Sequence, residues 1–368
     1  MRLSLISFDF AEYTARLACG LSAHAEVDLF LPERQAAAQL HLLGSRVRFH
    51  AFPQPRLRHL RAQMAVVRDI VRSINQINPD VVHLQQGHMW FNLALPVIRQ
   101  HCPVVLTVHD PRHHVGDRLS RKTPQFVMDF GFRQATEIIT HGQQVKQMLV
   151  DACRLPATKI HVIPHHALAT GAARKPESSD RPVVLFFGRI WKYKGLEYLI
   201  KAEPLITARI RDVVFVIAGE GEDLAWYRSM MAHPDRFVIR NEYVDDAERD
   251  ELFRQASVVV LPYIEATQSG VAPVAYGFAK PVVASSVGAL SEVVEHGRTG
   301  LLVPPADSQQ LADALVHILL NPELGRRFGQ NGKEKLQREC SIEVVAAKTM
   351  IVYDIAVAGQ QARFQAAS

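Results

Sequence analysis

The chain has 368 residues, 48% hydrophobic and 21% charged, the composition of a globular protein with enough length for two cores of roughly 150–200 residues each. No run approaches the roughly 20 apolar residues that span a bilayer. The net charge of +5 divides unevenly, with 19 Lys+Arg against 12 Asp+Glu over residues 1–170 (net +7) and a net −2 in the remainder; without a domain-wide surplus and interleaved aromatics, nucleic-acid binding is excluded.

The first apolar run, 3–8, reads as a strand with no basic region before it and no small-residue cleavage site, so no secretion signal is read and a cytoplasmic location is expected. Further strands are predicted at 27–31, 47–52, 81–84, 104–108, 137–140 and 160–164, separated by helices such as 58–76 and 143–153. That alternation implies an α/β unit with a largely parallel sheet. Helix 58–76 repeats apolar residues (Leu60, Met64, Val67, Ile70, Val71, Ile74) at helical spacing and, with the residues just before it, carries Arg56, Arg58, Arg61, Arg68 and Arg72. Such a face is either solvated or meets an anionic membrane or a phosphorylated acceptor.

Residues 167–181 have no apolar period and read as a linker, after which strands restart at 183–187, 213–218, 237–240, 257–262, 281–285 and 300–303, with helices at 195–209 and 246–255. A long helical stretch follows at 341–359. The expected organisation is a first Rossmann-like domain over 1–170, a linker over 171–181, a second Rossmann-like domain over 182–345, and a crossover helix and tail over 346–368. Ligands of such sheets sit outside the carboxyl ends of the strands, where this sequence places Asp9, Gln85 to His88, His109, His141, His165, Gly188, Arg189, Gly219 and Glu265. Two such rims facing each other would form one cleft.

Two stretches carry the densest chemistry. In Phe187-Gly188-Arg189-Ile190-Trp191-Lys192-Tyr193-Lys194-Gly195, a strand end runs into a helix start. Free N–H groups and the helix dipole favour anions there, and an Arg fork with a Lys point charge suits two phosphates. In Pro262 to Val271, Thr267 and Ser269 are N-cap residue types, and Gly270 allows close backbone approach before a helix running to Phe278. Thr267, Gln268, Ser269 and Gly270 then either cap that helix or bind phosphate or sugar oxygens. Asp245-Asp246 reads as a cap and first-turn charge of 246–255 rather than a metal ligand pair, and the four cysteines lack metal or CxxC spacing, so no metal and no cofactor are expected.

FGRIWKYKG at 187–195, VVLTVHD at 104–110, IHVIPH at 160–165, VIAGEG at 216–221 and PVVASSVGALSEVVEHGRTGLLVP at 281–304 together resemble glycosyltransferase family 4. The resemblance implies a GT-B fold of two Rossmann-like domains and retaining transfer from a UDP- or GDP-sugar to a glycan, lipid-linked or small-molecule acceptor, as in cell-surface polysaccharide synthesis. It implies that Arg189 and Lys194 neutralise the donor diphosphate and that His109 lies near the reacting sugar. Gly188, Glu265 and the turn Thr267 to Gly270 join the donor side, and Asp9, His88 and His113 the acceptor side. The family's Glu-x7-Glu pair is missing: counting back from Pro281 puts Ala266 and Val274 there, so the chain resembles a subgroup with Ala-Thr-Gln-Ser-Gly in that loop. A degenerate member that binds nucleotide or glycan without turnover is the alternative, and an epimerase on the same architecture is a third. A nicotinamide enzyme is disfavoured because the first strand lacks GxGxxG.

Overall fold

The computed structural model describes residues 1–37, 39–114, 123–166 and 181–367. Most of the expected linker, 171–180, lies outside the described residues. The chain divides into two compact units: one contains Met1–His113, Arg118–His166 and Ser341–Ser368, the other His114–Asp117 and Ala167–Cys340.

In the first unit, β1 (Arg2–Ser7), β2 (Glu26–Pro32), β3 (Val47–Phe52), β4 (Val81–Gln85), β5 (Val104–Val108), β6 (Glu137–Thr140) and β7 (Ile160–Val162) form one sheet in the order β3-β2-β1-β4-β5-β6-β7, each neighbouring pair parallel. Runs such as Val104–Val108 are buried throughout and apolar but for Thr107 because both faces of a parallel sheet are covered. The helices include α1 (Ala11–Leu21), α2 (Leu60–Ile77), α3 (Gln125–Gln134) and α4 (Gln143–Cys153). On α2 the buried stripe is Gln63, Val66, Val67, Ile70 and Ile74, whereas Leu60 and Met64 are exposed beside Arg61, Arg68 and Arg72. The expected apolar face is therefore rotated: two of its members lie on the basic side.

The second unit repeats the plan with β8 (Val183–Phe187), β9 (Val214–Ala218), β10 (Phe237–Arg240), β11 (Val258–Leu261), β12 (Val282–Ser285) and β13 (Gly300–Val303), ordered β10-β9-β8-β11-β12-β13 and parallel. Around it lie α5 (Leu196–Thr207), α6 (Asp246–Gln255), α7 (Val271–Gly277), α8 (Ser308–Leu319) and α9 (Pro322–Cys340). One face of this sheet packs Phe186, Phe215 and Ile217 against Leu199 and Leu315; the other packs Leu185, Val259 and Leu261 against Phe253 and Tyr276. Asp245 caps α6, its Oδ1 accepting from the Glu248 N–H at 2.8 Å, as its position before an amphipathic stretch predicts.

The last helix, α10 (Ile342–Ala367), groups with the first unit and packs against α1, β4 and β5. Gly20 of α1 lets them approach, since a Cβ there would sit 2.8 Å from Cγ1 of Ile342. None of the helices, among the described residues, is long and apolar enough to cross a membrane.

Candidate functional site

Strand order reverses between β1 and β4 in the first sheet and between β8 and β11 in the second, and such switch points leave a crevice at the carboxyl ends of the strands. The residues singled out from sequence collect at both.

In the second unit β8 ends at Phe187 and the chain turns through Gly188 at φ +106°, with Arg189 exposed on the rim. A single 3-10 turn, Lys192–Lys194, leads to Gly195 at φ +67°. Only glycine fits there: a Cβ would lie 1.9 Å from the Pro262 carbonyl oxygen. This close approach sets Lys194 against the β11 rim, its Nζ 3.8 Å from the ring centroid of Tyr263. The Ile264 N–H donates to the Tyr193 carbonyl at 2.9 Å, tying the two loops together. On the far side of the Ala266–Gly270 loop, Gly288 sits at φ +51° where a Cβ would be 1.7 Å from the Ala266 oxygen. The loop is thus clamped between two backbone turns.

Within the clamped loop neither Thr267 nor Ser269 is the N-cap of α7. The N-cap of α7 is Gly270, without a side-chain cap, so Thr267 and Ser269 precede it. Ser269 Oγ accepts from the Val271 N–H and lies 3.2 Å from the Tyr263 hydroxyl, while Thr267 Oγ1 lies 3.1 Å from His114 Nε2. The His114 ring is buried, stacked 4.6 Å from Tyr193, and its Nδ1 is 3.0 Å from Glu265 Oε1. With Glu265 as acceptor, Nδ1 carries a hydrogen. Ala266 and Val274 are buried, so the positions of the expected acidic pair are part of the packing, and Glu265 just before the loop places its carboxylate against His114. Gln268 is half-buried beside them.

Rings, not cations, line the rim of the first unit. His109, just beyond β5, stacks on Phe10 (centroids 3.9 Å apart, planes at 7°) and meets the edge of Tyr13 at 5.2 Å. His141 lies 4.8 Å away and His165 6.3 Å away, both centroid distances, while His166 stacks on Tyr13. Burial first, and neighbouring imidazoles second, push His109 and His141 far below the ordinary histidine range, so both rings are neutral. His141 Nδ1 donates to the Ile163 carbonyl at 2.9 Å, which leaves Nε2 as a buried acceptor without a partner among the described residues. Gln86, in the left-handed region at φ +56°, holds the His109 backbone through its Oε1.

Of the remaining acceptor-side residues, Asp9 is exposed beyond β1 and His113 is half-buried. His88 is buried beneath the rim, stacked on Phe8 at 3.9 Å, with its Nδ1 accepting from the Phe91 N–H. Among the described residues, no group of three or more His, Cys, Asp or Glu is placed to hold a metal ion.

Two family models match the chain: Glycosyltransferase Family 4 over residues 11–166 and Glycosyl transferases group 1 over residues 181–321. The chain thus carries a glycosyltransferase family 4 domain followed by a glycosyl transferases group 1 domain, on the GT-B fold. It is 28% identical over 249 residues to alpha-D-kanosaminyltransferase of Streptomyces kanamyceticus, covering 62% of this chain and 64% of that one, so less than two thirds of the relative is spanned. Among solved structures, sucrose-phosphate synthase from Thermosynechococcus elongatus superposes with a TM-score of 0.78 at 21% identity, covering 98% and 100% of the two chains. Anabaena Alr3699/HepE in complex with UDP-glucose gives 0.72 at 17% identity, covering 94% and 99%. Both share the GT-B architecture.

Against that GT-B frame, sequence reasoning missed Tyr13, Tyr263 and the engagement of His114 with Glu265 and Thr267. A tyrosine two residues past β11 and six before Ser269 was the available sign of the Tyr263 contact; nothing local marks His114 as a partner of residues 151 and 153 positions away.

Proposed function

We propose that the protein is a retaining glycosyltransferase that moves a sugar from a UDP- or GDP-sugar to a hydroxyl of a glycan, lipid-linked or small-molecule acceptor, without a metal ion. What supports this reading is that Arg189, Lys194, the start of α5 and the clamped Thr267–Gly270 turn all follow the carboxyl ends of β8 and β11, the strands of the switch point. Two cations beside a helix start suit a diphosphate leaving group. Alr3699/HepE, of the same fold, is solved with a nucleotide sugar of this class.

In this reading the anomeric carbon–oxygen bond to the diphosphate breaks and the acceptor oxygen bonds to that carbon from the same face. The acceptor proton passes to the departing phosphate. Arg189 and Lys194 stabilise the charge that develops on the diphosphate, and neutral His109 hydrogen-bonds the sugar. The exposed Arg61, Arg68 and Arg72 with Leu60 and Met64 fit a peripheral contact with an anionic membrane surface at its cytoplasmic face.

Thermal shift with UDP, GDP, ADP and TDP tests the donor site. One base is expected to stabilise the protein by about 2.7 kcal/mol at a hundredfold excess over Kd, and Arg189→Ala to weaken that nucleotide about 10–100-fold, the value of one or two charge-assisted hydrogen bonds. No shift with any nucleotide, together with neither transfer nor donor hydrolysis across a panel of nucleotide sugars, overturns the reading. Binding without turnover would instead favour a degenerate binder, the reading that buried Ala266 and Val274 motivate.

A further inference from the structure

Five large apolar side chains stand exposed on one layer of the first unit. Leu60 and Met64 are on α2, Leu93 in a 3-10 turn (Phe91–Ala94), Val97 in the short helix after it (Leu95–Ile98) and Phe126 in the first turn of α3. Phe126 is 73% exposed and the other four between 49% and 54%. The other three elements all touch the 3-10 turn, and all four pack inward on one core cluster, through Val67, Phe91, Leu95 and Met128. Two hydrogen bonds draw their outer ends together: Trp90 Nε1 donates to the Leu57 carbonyl and the buried Asn92 amide to the Val127 carbonyl, both at 3.0 Å. The exposed side chains are therefore neighbours, and a contiguous apolar patch, unlike a single exposed leucine, marks a contact surface.

The border of the patch has one sign. Arg56, Arg58 and Arg61 stand exposed at the head of α2, and among the described residues no carboxylate pairs with them; Arg68 and Arg72, further along the helix, share Asp69. The patch also has a position. Between parallel strands a helix runs back from the carboxyl ends, so Leu60, Leu93 and Phe126, in the first turns after β3, β4 and β5, lie at the rim end of their layer. Packing on a second copy of the chain would bring the arginines against their own images across a twofold axis. A bilayer with anionic headgroups instead takes apolar side chains among its acyl chains and cations at its phosphates.

We infer that this patch seats the first unit on an anionic bilayer, with Leu60, Leu93 and Phe126 inserted and Arg56, Arg58 and Arg61 at the headgroups, and that the acceptor is carried on a lipid. The arginine face of α2 alone would give attraction at a distance; the apolar patch adds depth and a fixed orientation. That orientation puts the ends of β4 and β5, and with them His109, beside the membrane surface. The seating stands apart from the proposed function, whereas the choice of a lipid-linked acceptor over a free glycan or a small molecule rests on it.

Flotation of the full-length protein with vesicles tests the seating. Binding is expected to equimolar phosphatidylglycerol and phosphatidylcholine, and about 10–100-fold weaker to phosphatidylcholine alone, at about fivefold per arginine near the surface. Leu93→Ser with Phe126→Ser is expected to lower it about tenfold or more through lost apolar burial, and Arg58→Gln with Arg61→Gln about 20–30-fold at unchanged salt. Ile351→Ser is the control: also exposed, Ile351 lies on α10 across the sheet, where Tyr353 Oη is 2.6 Å from His83 Nδ1, and its loss should change nothing. No binding to the anionic vesicles, or binding that neither double variant weakens, overturns the inference. So does a wild-type dimer, read by light scattering, that Leu93→Ser with Phe126→Ser dissociates. For the acceptor, radiolabel from the accepted nucleotide sugar is expected in lipid extracted from vesicles of the expressing cells' total membrane lipid. Label found only in water-soluble products overturns the lipid assignment. Absence of any transfer or donor hydrolysis, with flotation as expected, removes the transferase reading and not the seating.

Discussion

The two rims share a topology and differ in material. Both lie where strand order reverses, between β1 and β4 or between β8 and β11, but the first is lined by rings (His109, His141, Phe10, Tyr13) and the second by glycine turns and cations (Gly188, Gly195, Arg189, Lys194). Neutral imidazoles exchange hydrogen bonds with hydroxyls without attracting phosphate. Backbone turns with an Arg fork and a Lys do the opposite. In the proposed reading the fold fixes where a ligand sits while the residues at the strand ends fix its chemistry, with hydroxyl recognition at the first rim and diphosphate recognition at the second.

The largest effect that could break this division is expected at His109. With the ring as a hydrogen-bonding partner of the reacting sugar, His109→Ala lowers kcat by about 10²–10⁴-fold, the range of a positioned proton-transfer or hydrogen-bonding group, and leaves nucleotide affinity measured by calorimetry within about twofold. A parallel loss of nucleotide affinity would mean that the first rim also holds the diphosphate, and the division would fail.

Acid should separate the units next. Burial lowers His83 to about 3 and His88 to about 4, against an ordinary 6.5. Because both are depressed on folding, the unfolded chain binds more protons below 6.5; their contribution is whole above that pH and shrinks as pH falls toward the folded values. Together the two rings cost on the order of 4 kcal/mol of stability between neutral pH and pH 5, each pH unit being worth ~1.4 kcal/mol per ring. In the second unit a hydrogen bond from Lys335 holds the Glu295 carboxyl below its ordinary 4.5, so that contribution persists until the pH falls below about 4.5. Urea unfolding at pH 7.5 and pH 5, followed through Trp90 in a Trp191→Phe, Trp226→Phe background, is expected to show a lower midpoint for the first unit in acid. Equal midpoints at the two pH values would remove the contrast.

How much of this was legible beforehand follows the range of the forces involved. Strands β6 and β8 and helices α4 and α6 stand at their predicted residues because an apolar run, a period or a cap such as Asp245 is written locally. The φ > 0 turn at Gly188 was legible for the same reason, as a glycine closing an apolar run. Helix α2 shows where local pattern misleads: Leu60 and Met64 keep the helical spacing yet lie exposed, since periodicity gives a face and not the width of the layer covering it. Of the two roles open to Thr267 and Ser269, N-capping falls to Gly270 instead, while Thr267 Oγ1 lies against His114, 153 positions away, a partner that no local pattern marks. The Tyr353–His83 bond was illegible for a plainer reason: a buried polar pair 270 residues apart leaves no mark on either local pattern.

The smallest effect sharpens the comparison within the second rim, where Tyr263 serves Lys194 through its ring and Ser269 through its hydroxyl. Tyr263→Leu removes both and is expected to weaken nucleotide binding by ~0.5–2 kcal/mol, the worth of a cation held over a ring. Tyr263→Phe keeps the ring and loses only the bond to Ser269, which still accepts from the Val271 N–H. It is expected to lower stability by about 1 kcal/mol with nucleotide affinity unchanged. If Tyr263→Phe weakened the nucleotide as much as Tyr263→Leu, the hydroxyl and the Ser269 turn would be holding the diphosphate, and backbone geometry rather than the placement of Lys194 would dominate this rim.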